Sequence, residues 1–388
     1  MVDRKLKIVR VSTVPFFIVT QLSATIKALK DSGAGVTVIS SDDDLGGELR
    51  ELVGSDFIPV KMVREINPVQ DLFSLILLVK IFRQGEFDIV HSTTPKAGLL
   101  CAIAGKIAGV KIRLHTYTGQ PWVTMQGVKR HLLKFCDRVI GSLNTRCYTD
   151  SFSQQKFLVE QSVIKREKIS VLGNGSFAGV DLRRFDATRF SESERSALKS
   201  ELKINAESKV VIFVGRITKE KGVSELIEAF ERLVIQGIDL HLLLVGPYEP
   251  DGAAIIDNIS NGSVKNRIKN VGFSNIPEKY MAVSDVLCLP SYREGFGTVV
   301  IEAAAMGLPT VGTSIYGLSD AVVDGETGLL VPVGDSDSLA ASIRSLVTDE
   351  VLLKNMSNSA RERAQTKFDS KLYSSLLIAE YTGLVKKS

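Results

Sequence analysis

Residues 290–298 read Pro-Ser-Tyr-Arg-Glu-Gly-Phe-Gly-Thr, and they carry the strongest fold signal in this sequence. They follow an apolar run at 285–289 that predicts a β-strand, and they lead into an Ala-, Ile- and Val-rich helix predicted at 297–306. A strand, a glycine turn and a helix in this order are typical of a parallel α/β sheet that binds its ligand at the turn. The amides of Thr298, Val299 and Val300 are predicted to be free to bind a diphosphate.

Two carboxylates flank this predicted anion site. Glu294 precedes the turn, and Glu302 lies in the helix with seven residues between them. A diphosphate site between two acceptors for sugar hydroxyl groups indicates a nucleotide-sugar. The spacing resembles the Glu-x7-Glu motif of retaining glycosyltransferases of family four, which have the GT-B fold. The resemblance implies that Glu302 binds the ribose and that the donor sugar and its phosphates are held by Glu294, Gly295, Phe296, Gly297, Thr298 and Val299.

A second segment places cations beside the same ligand. A predicted strand at 210–214 ends at Gly215, and Arg216 and Lys221 follow just before a predicted helix. Fixed cations stabilise the charge that develops on a departing diphosphate. The segment resembles the Gly-Arg-x4-Lys-Gly motif of the same family, in which Arg216 and Lys221 match the phosphate-binding pair. Phe273 lies where the family has its base-binding loop, and uridine is the base that the family leads us to expect.

The first half of the chain carries the predicted acceptor residues. His115 ends a strand before a Gly/Pro loop, so its side chain is expected to point into the cleft, where the family often has a His that contacts the donor sugar. Trp122 either stacks on a sugar or anchors that loop. Lys96 is predicted near the N-terminus of a helix, where a positive charge is unfavourable because it opposes the helix dipole. This position suggests a bound anion such as the pyrophosphate of the acceptor; the alternative is that Lys96 is simply an exposed lysine. Phe16 and Phe17 suit a lipid-linked acceptor, although burial is the more usual fate of a phenylalanine.

Alternation of strands and helices predicts an α/β fold with two Rossmann-like, doubly wound domains facing a cleft, as in GT-B enzymes. We place an acceptor-binding domain at 1–178 and a nucleotide-sugar-binding domain at 179–369. By the resemblance, a last helix at about 370–388 packs back on the first domain. The connection at 173–185 is rich in glycine and lacks helical or strand periodicity.

Composition excludes several classes of protein. With 388 residues, 44% of them hydrophobic and 24% charged, the chain is expected to be globular. Its four scattered cysteines argue for a reducing compartment, and no apolar run reaches the length of a membrane span. Residues 1–178 hold 24 Lys and Arg against 16 Asp and Glu. This basic half suits anionic lipid or a pyrophosphate-bearing acceptor, or it merely aids solubility; nucleic acid is disfavoured because no aromatic stacking set accompanies the charge.

The sequence therefore predicts a retaining, metal-independent glycosyltransferase with Glu294, His115, Arg216 and Lys221 as catalytic residues and no cofactor besides its donor, a UDP-sugar. Residues 91–98, 115–122 and 171–181 resemble segments of enzymes that extend undecaprenyl-diphosphate-linked sugars in O-antigen, capsule or exopolysaccharide synthesis. Such an enzyme would be cytoplasmic and peripherally bound to the anionic membrane face. The segment 12–17 departs from the family's glycine-rich loop, and Ala178 stands where the family often has Asn.

Other functions remain open at this stage. A transferase with a soluble acceptor or a UDP-sugar 2-epimerase would have the same fold. The Asp42-Asp43-Asp44 run nominally satisfies the Asp-x-Asp pattern of metal-dependent transferases, but acidic residues at a helix start need no metal to explain them. The transferred sugar, the acceptor, the linkage position and the oligomeric state are not given by the sequence.

Overall fold

The structure, a computed structural model, describes residues 5–43, 45–63, 65–257, 259 and 261–388. The chain forms two compact units. The first comprises Met1–Gly179 together with Ser370–Ser388, and the second comprises Val180–Asp369.

The first unit is built on a seven-stranded sheet in the order β3-β2-β1-β4-β5-β6-β7, in which every pairing is parallel. Its strands are β1 (Lys7–Val11), β2 (Gly35–Ser40), β3 (Phe57–Pro59), β4 (Ile89–Thr93), β5 (Ile112–Tyr117), β6 (Arg146–Thr149) and β7 (Ile169–Val171). Its helices are α1 (Pro15–Phe17), which continues as a π-helix at Ile18–Leu22, α2 (Ser23–Asp31), α3 (Gly46–Val53), α4 (Pro68–Gly85), α5 (Pro95–Ile107), α6 (Gly127–Leu143) and α7 (Phe152–Glu160).

Local sequence explains how these elements begin and why the strands are apolar. Ile8, Val9 and Val11 of β1 are fully buried because helices cover both faces of a parallel sheet. Helix α4 starts at Pro68, and the preceding Asn67 caps it by accepting a hydrogen bond from the Gln70 amide at 3.1 Å.

The second unit has a six-stranded parallel sheet in the order β10-β9-β8-β11-β12-β13. Its strands are β8 (Lys209–Val214), β9 (Leu240–Val245), β10 (Ile268–Gly272), β11 (Val286–Leu289), β12 (Thr310–Thr313) and β13 (Gly328–Val331). Its helices are α8 (Glu192–Glu201), α9 (Val223–Ile235), α10 (Pro250–Asp257), α11 (Gly262–Arg267), α12 (Pro277–Met281), α13 (Thr298–Ala305), α14 (Leu318–Ala321), α15 (Ser336–Thr348) and α16 (Glu350–Lys367).

The last helix, α17 (Ser370–Lys387), returns to the first unit and packs against α2. Its Tyr381 is fully buried, and the tyrosine hydroxyl accepts a hydrogen bond from the Arg10 guanidinium at 2.7 Å. The same hydroxyl lies 2.5 Å from Nδ1 of His91, whose Nε2 lies 2.8 Å from the hydroxyl of Thr116. Side chains of β1, β4 and β5 are therefore joined to the C-terminal helix by one buried polar cluster.

The predicted fold class is confirmed: both units are parallel sheets with helices in doubly wound order. Each sheet has one point where the strand order reverses, between β1 and β4 in the first unit and between β8 and β11 in the second. In such sheets, ligands bind at the carboxyl ends of the strands beside the reversal. The cleft between the two domains stays a prediction.

Candidate active site

The loops after β8 and β11 meet at the strand-order reversal of the second sheet. The ammonium of Lys221 forms an ion pair with the carboxylate of Glu294, and the Ser291 hydroxyl donates to the same carboxylate oxygen at 2.8 Å. The amide of Tyr292 also donates to the carbonyl of Glu220 at 3.0 Å. The structure thus brings together two of the predicted catalytic residues, which lie 73 positions apart in the sequence.

Close backbone contact makes this meeting possible. Gly222 has a φ of 70°, and a Cβ at this position would overlap the carbonyl of Pro290. A residue with a side chain would therefore push the two loops apart as well as strain the left-handed backbone. Glycine at 222 keeps Lys221 within reach of Glu294.

Arg216, the second predicted cation, lies in a chain of alternating charges. Its guanidinium forms an ion pair with Glu249 and lies 3.5 Å from the carboxylate of Glu220. Glu220 in turn accepts a hydrogen bond from Nε of Arg293 at 2.7 Å. Glu220, Glu249 and Arg293 were not predicted as site residues from the sequence. Arg293 stands next to Glu294 in the quoted motif, whereas nothing in the sequence pattern reveals that Glu249 reaches Arg216.

The start of α13 differs in one respect from the prediction. The Val300 amide donates to the carbonyl of Gly297 at 2.8 Å, so it is not free to bind an anion. The amides of Thr298 and Val299 precede it in the first turn, where a helix lacks internal acceptors. Gly297, with a φ of 81°, is the N-cap residue and caps the helix with no side-chain hydrogen bond. The predicted anion site is therefore reduced to Thr298 and Val299.

The side chain of Phe296 lies away from the predicted ligand site. Its ring is buried and lies 5.3 Å from the ring of Phe368, so it belongs to the core of the second unit. Only the main chain of Phe296 can face a ligand. The neighbouring Gly295 has no side chain and remains a predicted main-chain contact.

Glu302 lies on α13 with a small part of its surface exposed. Burial raises the pKa of its carboxyl to about 7, an effect that Arg184 opposes and Glu278 reinforces. Arg184 is held by Glu278 through two hydrogen bonds of 2.9 Å. A carboxyl with this pKa can either donate or accept a hydrogen bond near neutral pH.

Gly215 and Phe273, the remaining donor-site predictions, lie at the same edge of the sheet, because β8, β10 and β11 are parallel. Gly215 meets Gly246 so closely that a Cβ at residue 246 would overlap the Gly215 carbonyl. Phe273 follows β10 and is 61% exposed. An exposed ring beside this edge could stack on a base.

Contrary to expectation, the side chain of His115 in the first unit does not point out of the strand end. Its ring is buried, its Nδ1 lies 3.0 Å from the Ser92 hydroxyl, and a Cβ on Gly98 of α5 would overlap it. Burial lowers the pKa of His115 to about 3, so the ring is neutral at neutral pH. In this structure the imidazole joins β5 to β4 and α5, and its catalytic role stays a prediction.

Trp122 anchors its loop, which was one of its two predicted roles. The ring is fully buried and stacks on Phe157 at 5.5 Å, and its Nε1–H donates to the Asp137 carboxylate at 2.7 Å. The prediction that Trp122 contacts the acceptor is therefore wrong, because no face of the ring is open to a sugar.

The structure also gives a different account of Lys96 from the predicted pyrophosphate site. Its ammonium contacts both carboxylate oxygens of Asp71 on α4, at 2.8 and 2.9 Å, and the carbonyl of Glu65. The carboxylate of Asp71 thus supplies the negative charge that stabilises the Lys96 ammonium at the start of α5. The inferred pyrophosphate at Lys96 loses its basis.

The two other predicted acceptor residues, Phe16 and Phe17, differ in their surroundings. Phe16 is 47% exposed, whereas the ring of Phe17 lies 5.1 Å from that of Phe177 and stacks on it. Phe17 therefore contributes to packing, and Phe16 keeps its predicted role.

Asp42 and Asp43, from the acidic run that suggested a metal-dependent enzyme, form hydrogen bonds with nearby residues of the chain. The Asp42 carboxylate accepts two hydrogen bonds from Arg50, at 3.2 and 2.6 Å, and Asp43 accepts one from the Leu45 amide. Asp44 lies outside the described residues. Among the residues that the structure covers, no three His, Cys, Asp or Glu side chains are grouped so as to hold a metal ion.

None of the helices within the described ranges has both the length and the apolar character needed to cross a bilayer.

Known families match both units. The profile of "Glycosyl transferases group 1" matches residues 194–363, and that of the "Glycosyl transferase 4-like domain" matches residues 18–175. The fold and these matches define the chain as a glycosyltransferase.

Individual relatives narrow this class. The chain is 31% identical over 365 residues to the capsular polysaccharide biosynthesis glycosyltransferase CapM of Staphylococcus aureus, a match that covers 94% of this chain and 93% of CapM. It is 28% identical over 328 residues to the Escherichia coli UDP-Gal:alpha-D-GlcNAc-diphosphoundecaprenol alpha-1,3-galactosyltransferase, covering 83% and 81% of the two chains. The chain belongs to the group 1 glycosyltransferases of family four, as the sequence motifs predicted.

The fold is shared with solved members of this class. The crystal structure of Anabaena HepE in complex with UDP and glucose matches with a TM-score of 0.80 at 21% identity, covering 97% of this chain and 100% of the HepE chain. At this identity the match establishes the GT-B fold and nothing finer.

Proposed function

We propose that the chain is a retaining, metal-independent glycosyltransferase that moves a hexose or N-acetylhexosamine from a UDP-sugar to an undecaprenyl-diphosphate-linked saccharide. The product would enter O-antigen, capsule or exopolysaccharide synthesis. The observation that carries the proposal is the pairing of Lys221 with Glu294 at the strand-order reversal, beside the first amides of α13.

Each group at this edge has a part in the proposed transfer. Lys221 and Arg216 stabilise the negative charge on the departing diphosphate, together with the amides of Thr298 and Val299. Glu294 accepts hydrogen bonds from the donor sugar and thereby fixes its orientation; by family analogy it is not a nucleophile. Glu302 contacts the ribose. The acceptor hydroxyl then attacks the anomeric carbon from the same face that the diphosphate leaves, which retains the anomeric configuration. The bond from the anomeric carbon to the phosphate oxygen breaks as the new glycosidic bond forms, and the departing phosphate oxygen takes the proton of the hydroxyl.

The donor must displace existing ion pairs to reach these groups. Lys221 is neutralised by Glu294, and Arg216 by Glu249 and Glu220. A diphosphate carries more charge and more acceptor oxygens than a carboxylate, so it competes for both cations. The carboxylate of Glu294, released from Lys221, becomes available to the sugar.

The names of the relatives support the proposed substrates. The Escherichia coli relative is named for UDP-galactose and for an acceptor on diphosphoundecaprenol, and the Staphylococcus aureus relative for capsular polysaccharide biosynthesis. An acceptor of this kind resides in a membrane, and we therefore propose that the enzyme works at the anionic cytoplasmic face of the bilayer, bound peripherally.

A direct test incubates the full chain with a panel of UDP-sugars and polyprenyl-diphosphate-linked monosaccharides. Products are identified by mass spectrometry, and their anomeric configuration by proton NMR. We expect an α-configured product from an α-configured donor, with a rate unchanged by chelator. An inverted product or a rate abolished by chelator contradicts the proposed mechanism, and an epimerised sugar formed from donor alone contradicts transfer.

A further inference from the structure

Helix α4 turns an apolar face outwards. Val69, Leu72, Phe73, Ile76 and Leu77 are all exposed, with Phe73 exposed to 65%. Their spacing of three and four residues places them on one side of the helix. The opposite side, with Ser74, Leu78 and Phe82, is buried against the first unit. A helix at the surface of a globular unit normally presents polar residues on its outer side, so this outer side is unusual.

Helix α6 adds a second outward apolar stripe, flanked by cations. Val128, Leu132 and Phe135 are exposed, and their spacing places them on one side of the helix. The exposed side chains beside this stripe are Lys129, His131 and Arg138. Helix α5 packs against both α4 and α6, so the two stripes lie on neighbouring parts of one unit. We call the exposed apolar residues of these helices the α4–α6 surface: Val69, Leu72, Phe73, Ile76, Leu77, Val128, Leu132 and Phe135.

Cations outnumber exposed carboxylates around this surface. Residues 101–150 contain eight Lys and Arg but only two acidic residues, Asp137 and Asp150, and both of these are buried. On α4 the exposed charged residues are Lys80 and Arg83, and Asp71 is paired with Lys96; the exposed residues Glu65 and Glu86 lie outside the helix, before its start and after its end. Apolar side chains bordered by an excess of cations match the boundary between headgroups and acyl chains in an anionic bilayer.

We propose that the α4–α6 surface docks on an anionic lipid bilayer, with its apolar side chains entering the headgroup–acyl boundary and Lys80, Lys129 and Arg138 contacting lipid phosphates. A twofold pair of identical chains would bring the same cations together, which disfavours a second copy as the occupant. The inference deepens the proposed function, because it gives the membrane contact its residues. The inference rests on the proposed function in one respect: the proposed acceptor lies in a membrane, which gives the chain a reason to bind one.

A fluorescence experiment tests insertion directly. Trp122 is the single tryptophan of the chain and is buried, so Phe73→Trp adds one reporter on the α4–α6 surface. We expect its emission to shift to shorter wavelength with vesicles of phosphatidylglycerol and phosphatidylethanolamine, and to be quenched by brominated acyl chains. Ile235→Trp is the matched control, since Ile235 is 67% exposed on α9 of the second unit and should show neither effect. An unchanged Phe73→Trp spectrum, or equal changes at both positions, overturns the proposal.

A binding experiment separates insertion from charge attraction. The triple variant Leu72→Ser, Phe73→Ser, Ile76→Ser should weaken vesicle partitioning by about tenfold or more at all salt concentrations. Lys129→Gln with Arg138→Gln should weaken it mainly at low salt. All three substituted positions of the triple variant are exposed, and thermal unfolding checks that the variant folds. If the triple variant binds vesicles as strongly as the wild-type chain does, the proposal is contradicted.

Two further outcomes are distinguishable. If wild-type chain forms a dimer in analytical ultracentrifugation that the triple variant does not form, the surface is an interface between copies and the bilayer proposal is overturned. Vesicle binding is measured without substrates, so its failure is independent of the transferase assay. Conversely, vesicle binding by a chain with no transferase activity would refute the proposed function and leave the docking surface in place.

Discussion

Lys221 and Glu294 neutralise each other at the edge of the second sheet where a diphosphate is proposed to bind. Both side chains are largely shielded from solvent, so their mutual attraction is stronger than that of a surface ion pair. Such a pair keeps a cation and an acceptor in place before the donor arrives. The cost of ordering them at the moment of transfer is correspondingly smaller.

Replacing Lys221 or Arg216 by Ala should lower kcat by about a hundredfold or more while the protein stays folded, since each loses a cation that faces the departing diphosphate. Steady-state kinetics with saturating donor gives the size of the effect. Lys219→Ala is the matched control, because Lys219 is exposed two positions from Lys221. Wild-type turnover in the Lys221 or Arg216 variant would refute its assigned role.

Replacing Glu249 by Gln should tighten UDP binding by about two- to fivefold, because the carboxylate competes with the diphosphate for Arg216. Titration calorimetry with UDP measures the effect at low salt. The effect should disappear when Arg216 is also replaced by Ala, since the competing pair no longer exists. Equal affinity of wild type and the Glu249 variant contradicts this account of Arg216.

The Glu302 carboxyl predicts a pH dependence of stability. Burial raises its pKa from 4.5 to about 7, so the folded chain keeps a proton that the unfolded chain releases between these values. Its contribution favours folding fully below pH 4.5 and is lost as the pH rises to about 7. Glu302→Gln, which cannot ionise, should therefore gain about 1–3 kcal/mol over wild type across this window and nothing further above it.

Urea unfolding followed by far-UV circular dichroism at pH 5, 6, 7 and 8 measures this difference. Exposed Glu228 on α9 supplies the control variant Glu228→Gln, for which no such rise is expected. A Glu302 difference that stays constant with pH would show that the carboxyl is ionised in the folded chain throughout.

At the residue scale, the sequence predicted groups that stand next to glycine turns at strand ends, such as Lys221, Arg216 and Glu294. It did not predict the partners of Arg216. Glu249 lies 33 residues from Arg216, and their pairing depends on two loops of the sheet edge coming together. Lys96 was misinterpreted for the same reason, because Asp71 reaches it from another helix.

At the scale of secondary structure, α17 is held to the first unit through the Tyr381 hydroxyl, which contacts Arg10 and His91. Tyr381→Phe removes this hydroxyl and leaves the buried Arg10 guanidinium without one of its hydrogen-bond partners, the other being Nδ1 of His91 at 3.1 Å. We therefore expect the first unit to lose about 1–3 kcal/mol of stability. Urea unfolding followed by the fluorescence of Trp122 reports on this unit, because the only tryptophan lies within it.

The neighbouring Thr382→Ala is the control for this prediction, since Thr382 is exposed on the same helix. If both substitutions have the same small effect, the buried polar cluster does not hold α17 in place.

Strands were easier to predict than helices in this chain. The alternating pattern predicts strands at 7–11, 35–40, 56–60, 88–91, 112–116, 146–149, 169–172, 210–214, 240–245, 268–272, 285–289, 310–312 and 328–331. Each of them is present, and β1, β2, β6, β9, β10 and β13 both begin and end where predicted. A buried parallel strand is a short apolar run that stands out from its surroundings. The helices predicted for the second unit, at 222–236, 276–283, 297–306, 336–348 and 350–367, leave out α8, α10, α11 and α14. Local turn preference accounts for α10, which contains Pro250, Asp251 and Gly252, and for the absence of a prediction at α3, which begins with two glycines. Packing against the sheet overrides this preference.

Helix α6 has apolar residues on two sides. Leu133 and Ile140 pack in the core of the first unit, whereas Val128, Leu132 and Phe135 are exposed on the outer side. The single inward apolar stripe that predicts a helix of a soluble unit is therefore obscured in the sequence. The apolar outer side is what indicates a docking surface once the helix is seen in place.

At the scale of the whole molecule, the two units differ in charge and in proposed task. The first unit, residues 1–179 and 370–388, has 27 basic and 17 acidic residues, whereas the second unit, residues 180–369, has 21 basic and 27 acidic residues. The basic unit suits anionic lipid and the diphosphate of a lipid-linked acceptor, and the other unit carries the edge at which we propose that the donor binds. In this proposal each of the two substrates has its own unit.

The central claim is that the donor diphosphate binds at the β8–β11 edge, and a crystal structure of the full chain with UDP tests it most directly. We predict both phosphoryl groups within hydrogen-bonding distance of Lys221, Arg216 and the amides of Thr298 and Val299, with Glu249 displaced from Arg216. UDP bound elsewhere, with the Lys221–Glu294 and Arg216–Glu249 pairs still formed, would contradict the account.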